Sequence, residues 1–447
     1  MKTDLSKIKF IDATLQEFSF AMMSAESESI KEATIADFFG SYNRTTVITE
    51  PLSEYEHRKV QFVWEDYFKT NGWTIKKEIA FGYMTQVPAQ KTNIEISPGV
   101  FKKIYRDSVI FYAKGEDKIC VEITRAPRGE HCYYFHASEE NSNIYEDIKK
   151  LASERNIYKN QRIDCRGNFL KLDNVEWEDI VLPEKVKEVI KSNIDEMFRL
   201  REQFKKHGLS VKRGVILYGP PGTGKTKVCK CLAKEAMYSV LYTMPSDFTS
   251  PNGIRNVCEM AQDLAPCLLI IEDIDWIAQD RSKGNAAFVM ELMNKLDGLE
   301  SFGDIITLGT TNALGELENA IKNRPGRFDR LINIDLPNPE CREQMLKRFT
   351  KNFVIDDSVA FDKIAAATEG LTGAHINDLC NTAAIIAVKD SSLVGEKLLL
   401  KKSHFEEAVN EVKDKDYSSY MEMQSKTNFG FGARHAQNLD DIFDDLM

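Results

Sequence analysis

Residues 219–226 read Gly-Pro-Pro-Gly-Thr-Gly-Lys-Thr, between the apolar run 215–218 and a helix-forming stretch that begins at Lys227. The pattern G-x-x-x-x-G-K-[ST] in a strand–loop–helix setting constrains the surrounding chain strongly, because it needs a strand to deliver the loop and a helix to receive it. Its glycines let successive backbone N–H groups turn inward around phosphate oxygens, and the helix N-terminus adds partial positive charge. Pro221, Gly222, Thr223 and Gly224 are therefore expected to wrap the phosphates of ATP, with Lys227 at the start of the helix. Lys225 is expected to reach the β- and γ-phosphates, and Thr226 to place its hydroxyl on Mg²⁺.

The flanking pattern agrees. From about 170 to 337, short apolar runs alternate with helical segments, the signature of a parallel sheet. Strands are expected at 215–218, 239–243, 267–271, 305–310 and 331–336, giving an α/β fold with the sheet sandwiched by helices. After Pro337-Asn-Pro339 the chain reads as helical through 413, a small helical subdomain with no further strand. Upstream, 14–40 has helical amphipathic spacing, 60–68 reads as a helix, and 108–113 and 118–124 read as strands. These belong to an expected N-terminal α+β domain with a helical connector, closing at 165 before the punctuating Arg166-Gly167. Residues 414–447 read as a flexible acidic tail whose end, 438–447, alternates acids with apolar residues and is a possible docking segment.

A phosphate loop alone implies only binding. Downstream residues point to hydrolysis. Leu268-Leu-Ile-Ile is an apolar strand ending in Glu272, Asp273 and, two residues on, Asp275. Such a strand tip can supply one carboxylate to Mg²⁺ and another to position the attacking water. Asn312 follows the apolar run 305–309, where a neutral amide can hydrogen-bond water and phosphate together. Arg324 and Arg327 lie in a basic loop suited to stabilising phosphoryl-transfer charge, and Thr372 or Gly373 can start a helix near the nucleotide base.

In this order and spacing the motifs resemble the AAA family of ATPases over about residues 173–412. The resemblance implies that Asp179 and Ile180 border the adenine, and that Asn312 is the polar residue called sensor 1. It implies that Arg324 and Arg327 are fingers offered to an adjacent subunit, that 296–298 touches the neighbouring site, and that Gly373 and Ala374 carry the lid's nucleotide contact. The chain departs from the family twice. The usual Asp-Glu pair is Glu272-Asp273, which puts Glu272 on the metal side and Asp273 on the water side, an order like that of a mitochondrial inner-membrane branch of the family. The segment 246–253 is shorter than the aromatic–Gly pore loop of the unfoldases, with Phe248 its one aromatic residue.

Composition narrows the function. A net charge of -10 and a pI near 5.5 argue against direct nucleic-acid binding, and no apolar run approaches a membrane span. Nine scattered cysteines with no C-x-x-C pair fit reduced thiols in the cytoplasm. His131–His136 reads as a half-buried aromatic strand rather than a metal site, and neither H-E-x-x-H nor G-x-S-x-G occurs. The expectation is a cytoplasmic, Mg²⁺-dependent ATP hydrolase. It forms a homo-oligomeric ring, a hexamer, and acts on a protein substrate or adaptor held by the N-terminal domain, with no membrane partner. A nucleic-acid motor or loader and a slow nucleotide-gated scaffold are the alternatives.

Overall fold

The structure, a computed structural model, describes residues 28–40, 45–82, 85–125, 130–209, 213–248, 251–275, 304–315, 328 and 330–413. Their contacts divide into two compact units. The first comprises the described residues through Trp177, Glu188–Tyr218 and Thr226–Asn333; the second comprises Glu178–Lys187, Gly219–Lys225 and the residues from Ile334 onward.

In the first unit, helix α1 (28–39) precedes β1 (Thr45–Ile48) and α2 (Glu54–Thr70), then β2 (Thr74–Gly82), β3 (Thr85–Pro88), β4 (Gln90–Ser97), β5 (Val100–Arg106), β6 (Ser108–Lys114), β7 (Asp117–Arg125), β8 (His131–Ala137) and α3 (Ile144–Glu154). An antiparallel sheet runs β1-β8-β7-β6-β2-β3, and β4 and β5 form a separate hairpin. Alternation sorts the side chains of β6 between two faces. Val109 and Phe111 pack with Ile35 and Phe39 of α1, whereas Ile110 and Tyr112 pack with Val60, Val63, Trp64 and Phe68 of α2. Helix α2 starts at a capping box, in which the Ser53 side chain and Glu56 satisfy each other's backbone N–H groups. Trp64 donates its indole N–H to the Tyr112 hydroxyl at 2.7 Å, and Phe68 stacks on the Tyr112 ring at 3.9 Å. The expected helix over 14–40 is present for 28–39; its earlier part lies outside the described residues.

The same unit holds a six-stranded parallel sheet. The elements in chain order are β9 (Arg162–Asp164), α4 (Glu184–Asn193), α5 (Asp195–Arg199), α6 (Arg201–Lys206), β10 (Arg213–Tyr218), α7 (Lys225–Glu235), β11 (Ser239–Thr243), α8 (Pro251–Leu264), β12 (Cys267–Ile271), β13 (Ile305–Thr311) and β14 (Arg330–Asn333), with 184–187 of α4 and Lys225 of α7 counted in the second unit. The strand order is β14-β10-β13-β12-β11-β9. Every residue of β11, β12 and β13 is buried, as both faces of a covered parallel sheet require. The five strands expected from sequence are all present, each with bounds within a few residues.

The sixth strand, β9, is an addition. Arg-Ile-Asp carries one apolar residue and no readable period, yet it pairs with β11 as the sheet edge. Sequence alone places 162–164 on the N-terminal side of the join. In the structure Tyr55, Tyr158, Ile163 and Phe169 share one core with Ile254, Val257 and Ala261 of α8, so packing runs across residue 165 without a break.

The second unit is built on α9 (Pro339–Phe349), α10 (Phe361–Ala367), α11 (Gly373–Lys389) and a helix α12 over 402–413. Ile376, Leu379, Cys380, Ala383, Ile386 and Ala387 form the buried stripe of α11 at helical spacing. They pack with Met345, Leu346, Leu371, Leu400, Phe405 and Val409. The expectation of no strand beyond 337 does not hold. Strands β15 (Val354–Ile355), β16 (Leu393–Val394) and β17 (Lys397–Leu400) make a small sheet in the order β15-β17-β16. Each is two to four residues long, too short to show alternation, and the pairing β15 with β17 spans a sequence gap that only the folded unit closes.

Candidate functional site

Strand β10 delivers the chain to the glycine-rich loop at the carboxyl edge of the sheet. In the loop Gly222 and Gly224 take φ values of 78° and 105°, in the region that favours glycine. Lys225 is buried, and its ammonium donates to the carbonyls of Gly219 and Pro220, both at 2.8 Å. Thr223 is buried and its hydroxyl donates to the Pro220 carbonyl at 2.9 Å. Pro221, Gly222, Thr226 and Lys227 are exposed.

Within the second unit the loop, 219–225, meets the start of α11. Thr372 is the N-cap, its hydroxyl accepting from the His375 N–H while His375 Nδ1 accepts from the Thr372 N–H. The Ala374 N–H donates to the Gly222 carbonyl at 3.1 Å. A Cβ on Gly222 would lie 2.8 Å from the Thr372 hydroxyl oxygen and 3.0 Å from the Ala374 Cβ. Gly373 and Ala374 therefore touch the phosphate loop itself. Asp179 forms an ion pair with Arg348 of α9, Ile180 is buried, and Val181 packs on the core of this unit.

In the first unit, the carboxylates Glu272, Asp273 and Asp275 follow the end of β12, between the ends of β11 and β13. Glu272 follows β12 and is buried; its Oε1 accepts from the Tyr242 hydroxyl of β11 at 2.8 Å. Burial, reinforced by Cys229 and Glu272, pushes the Tyr242 phenol well above its ordinary pKa, so it remains a donor. Asp273 has φ 45°, and its N–H donates to the Thr310 hydroxyl at 2.9 Å. This left-handed turn separates the two acids, with Glu272 buried and Asp273 partly exposed. The Asn312 side-chain amide donates to Asp273 at 3.5 Å, and its backbone N–H donates to buried Asp275 at 3.2 Å. Tyr218 of β10 stands in register with Thr311 of β13, so the chain leaves β10 for the loop at the edge where Asn312 also lies.

The structure thus joins Gly222 with Ala374, Asp273 with Asn312, and Asp179 with Arg348. Arg324, Arg327 and 296–298 lie outside the described residues, as does the side chain of Phe248. Sequence reasoning missed Tyr242, Thr310 and the structural use of Asp275. Tyr242 reads only as an aromatic strand residue, because the pairing of β11 with β12 that sets it beside Glu272 is not visible along the chain. The oxygen donors present, a threonine hydroxyl and a glutamate carboxylate, suit a hard cation such as Mg²⁺. No described helix is long and apolar enough to cross a membrane.

Residues 215–336 match the family described as "ATPase family associated with various cellular activities (AAA)", and 358–407 match the AAA+ lid domain. This module belongs to the AAA family of ATPases. The chain is 36% identical over 250 residues to the ATP-dependent zinc metalloprotease FtsH 2 of Thermoanaerobacter sp., covering 54% of this chain and 48% of that protein. It is 34% identical over 231 residues to the proteasome-activating nucleotidase of Methanothermobacter thermautotrophicus, covering 48% and 56%. It is 29% identical over 269 residues to the cell division cycle protein 48 homolog of Archaeoglobus fulgidus, covering 56% and 37%. The chain thus spans about half, or less, of the length of these relatives.

Proposed function

We propose that the protein is a cytoplasmic, Mg²⁺-dependent ATP hydrolase. It works as a homo-oligomeric ring, a hexamer, that remodels, disassembles or translocates a protein partner recruited by residues 1–165. The observation that carries this reading is the phosphate loop holding a buried Lys225 while its Gly222 carbonyl is bound by the first turn of the lid helix. In this arrangement nucleotide occupancy and lid position share one hydrogen bond, which is what a motor needs to turn binding into movement.

The residue roles proposed are those that the motif chemistry supports. Pro221 to Thr226 and Lys227 line the phosphate side, with Lys225 neutralising charge on the phosphates. Asp179, Ile180, Gly373 and Ala374 belong to the base side. Mg²⁺, when bound by Thr226 and Glu272, would neutralise charge developing on the phosphate oxygens. Asp273 orients the water, and Asn312, which already donates to Asp273, steadies it. Arg324 and Arg327 act on the site of a neighbouring subunit. Work on proteins is supported by two relatives whose names specify a metalloprotease and proteasome activation. The net charge of -10 supports a protein partner over nucleic acid. The acidic tail, 414–447, is proposed as a docking segment.

The test is ATP turnover by Lys225→Ala, with folding verified by circular dichroism. Loss of turnover with an intact fold is expected; parent-level hydrolysis would refute the assignment. For the ring, Arg327→Ala and Lys225→Ala chains are mixed. An arginine finger is worth about 10³–10⁵ in rate, so partial recovery is expected if one interface regains both parts, and no recovery in verified mixed rings counts against a shared site.

A further inference from the structure

The glutamate at the tip of β12 is one methylene longer than the aspartate that its family uses there, and it has one more rotatable bond. Left to itself such a side chain would sample several rotamers, and ordering it on metal binding would cost free energy. The structure supplies a restraint. Tyr242, the penultimate residue of β11, donates its hydroxyl to Glu272 Oε1 at 2.8 Å, with both side chains buried. The backbones are clamped at the same point. The Glu272 N–H donates to the Thr243 carbonyl at 3.1 Å, and the Thr243 hydroxyl donates to the Ile270 carbonyl at 2.8 Å. Strands β11 and β12 therefore fix both ends of the glutamate.

We propose that Tyr242 is a positioning residue: by holding Oε1 of Glu272 it leaves Oε2 as the oxygen offered to the Mg²⁺ of a bound Mg·ATP. The inference rests on the proposed role of Glu272 as the metal-side carboxylate. A carboxylate has about four lone-pair sites over two oxygens, so one donated hydrogen bond leaves ample capacity for a cation. Its hydroxyl adds a restraint that a phenylalanine of the same shape would lack, although either would fill the strand position. The Glu-Asp order and the tyrosine are thus two parts of one device, in which the longer acid is made to behave as a fixed ligand.

The experiment is a titration with Mn²⁺ in place of Mg²⁺, read by electron paramagnetic resonance on the full chain with a non-hydrolysable ATP analogue present. Nucleotide affinity in EDTA is measured in parallel. Tyr242→Phe is expected to weaken Mn²⁺ binding about tenfold to a hundredfold, the size of one hydrogen bond to a charged group, with EDTA affinity changed less than about twofold. Glu272→Gln is expected to weaken Mn²⁺ at least as much. In a Glu272→Asp background, whose shorter carboxylate withdraws from the hydroxyl, Tyr242→Phe is expected to change nothing further. Full Mn²⁺ affinity in Tyr242→Phe, with loss in Glu272→Gln, overturns the positioning role and leaves the metal-side assignment standing. Parent-like Mn²⁺ binding by Glu272→Gln overturns the assignment itself. If Tyr242→Phe does not fold, Glu272→Asp alone decides: weakened Mn²⁺ binding supports the inference and parent-like binding overturns it.

Discussion

The backbone N–H of Ala374, in the first turn of the lid helix, donates to the carbonyl of Gly222 in the phosphate loop at 3.1 Å. The contact is possible because Gly222 has no side chain at a φ of 78°; an added Cβ would crowd the Thr372 hydroxyl at 2.8 Å and the Ala374 Cβ at 3.0 Å. Gly222→Ala should therefore separate loop from lid. An L-residue in this backbone region costs about 1–2 kcal/mol, so roughly tenfold weaker nucleotide binding is expected, and more if the added methyl displaces Thr372. Fluorescent-nucleotide titration measures it; unchanged affinity would show that the loop does not need this packing.

The two acids at the end of β12 should fail differently. Asp273→Asn keeps a residue tolerant of the left-handed turn while removing the carboxylate. Turnover should fall by about 10²–10⁴, the usual worth of a general base, with ATP affinity nearly unchanged, so the variant accumulates in the ATP-bound form. Glu272→Gln should instead weaken binding that depends on Mg²⁺. Single-turnover kinetics beside equilibrium binding separates the two. The reverse pattern would exchange the roles, and Asp275, tied to the Asn312 backbone, would be tested next.

Asp263 of α8 gathers three groups from the N-terminal layer: the Tyr55 hydroxyl at 2.6 Å, the Asn156 amide at 2.9 Å and the Lys59 ammonium. Lys59 is buried, whereas the Asp263 side chain keeps 25% of its exposure. Asp263→Ala would strand the lysine, at a cost of about 3 kcal/mol, the low end for a buried pair because of that exposure. Replacing both, as Lys59→Met with Asp263→Leu, should recover most of the loss. Hydrogen exchange in α2 and α8 is the measurement. Protection unchanged in the single variant would mean that the two layers are held by apolar packing alone.

Acidification should loosen the N-terminal sheet first. His57 is buried, stacks on His131 at 3.7 Å, and lies near Glu54, Arg58, Arg106 and Tyr133. Burial, with His131 next, holds its pKa well below the ordinary 6.5. The unfolded chain then binds the proton more readily, so His57 contributes stability above pH 6.5 that is lost as pH falls below it. The hydrogen bond from His131, assisted by Arg58, holds Glu54 below its ordinary 4.5, adding a second loss as pH falls through the lower range. Urea midpoints followed by tryptophan fluorescence should drop between pH 7 and 5, with His57→Gln flattening the upper part of the slope. An equal slope in that variant would place the titration elsewhere.

The phosphate loop, the strands that surround it and the acidic tip at 272–275 were all legible in the sequence. Each is set by contiguous residues whose backbone demands are local: glycines where φ is positive, apolar runs where both sheet faces are covered, and a threonine cap at the start of α11. By itself the sequence determined that this chain has a phosphate loop in a parallel sheet with acids at the tip of another strand, 267–271. The rest depends on residues that meet only after folding. Tyr55 and Asp263 are 208 positions apart, and Tyr242 and Glu272 are 30 apart. Strand β9 has no period of its own and exists because β11 offers an unpaired edge. Tertiary structure alone decided which oxygen of Glu272 is held, that Gly222 faces Ala374, and that Tyr55 of α2 shares a core with α8. Hydrogen bonds and packing between distant segments leave no periodic trace along the chain.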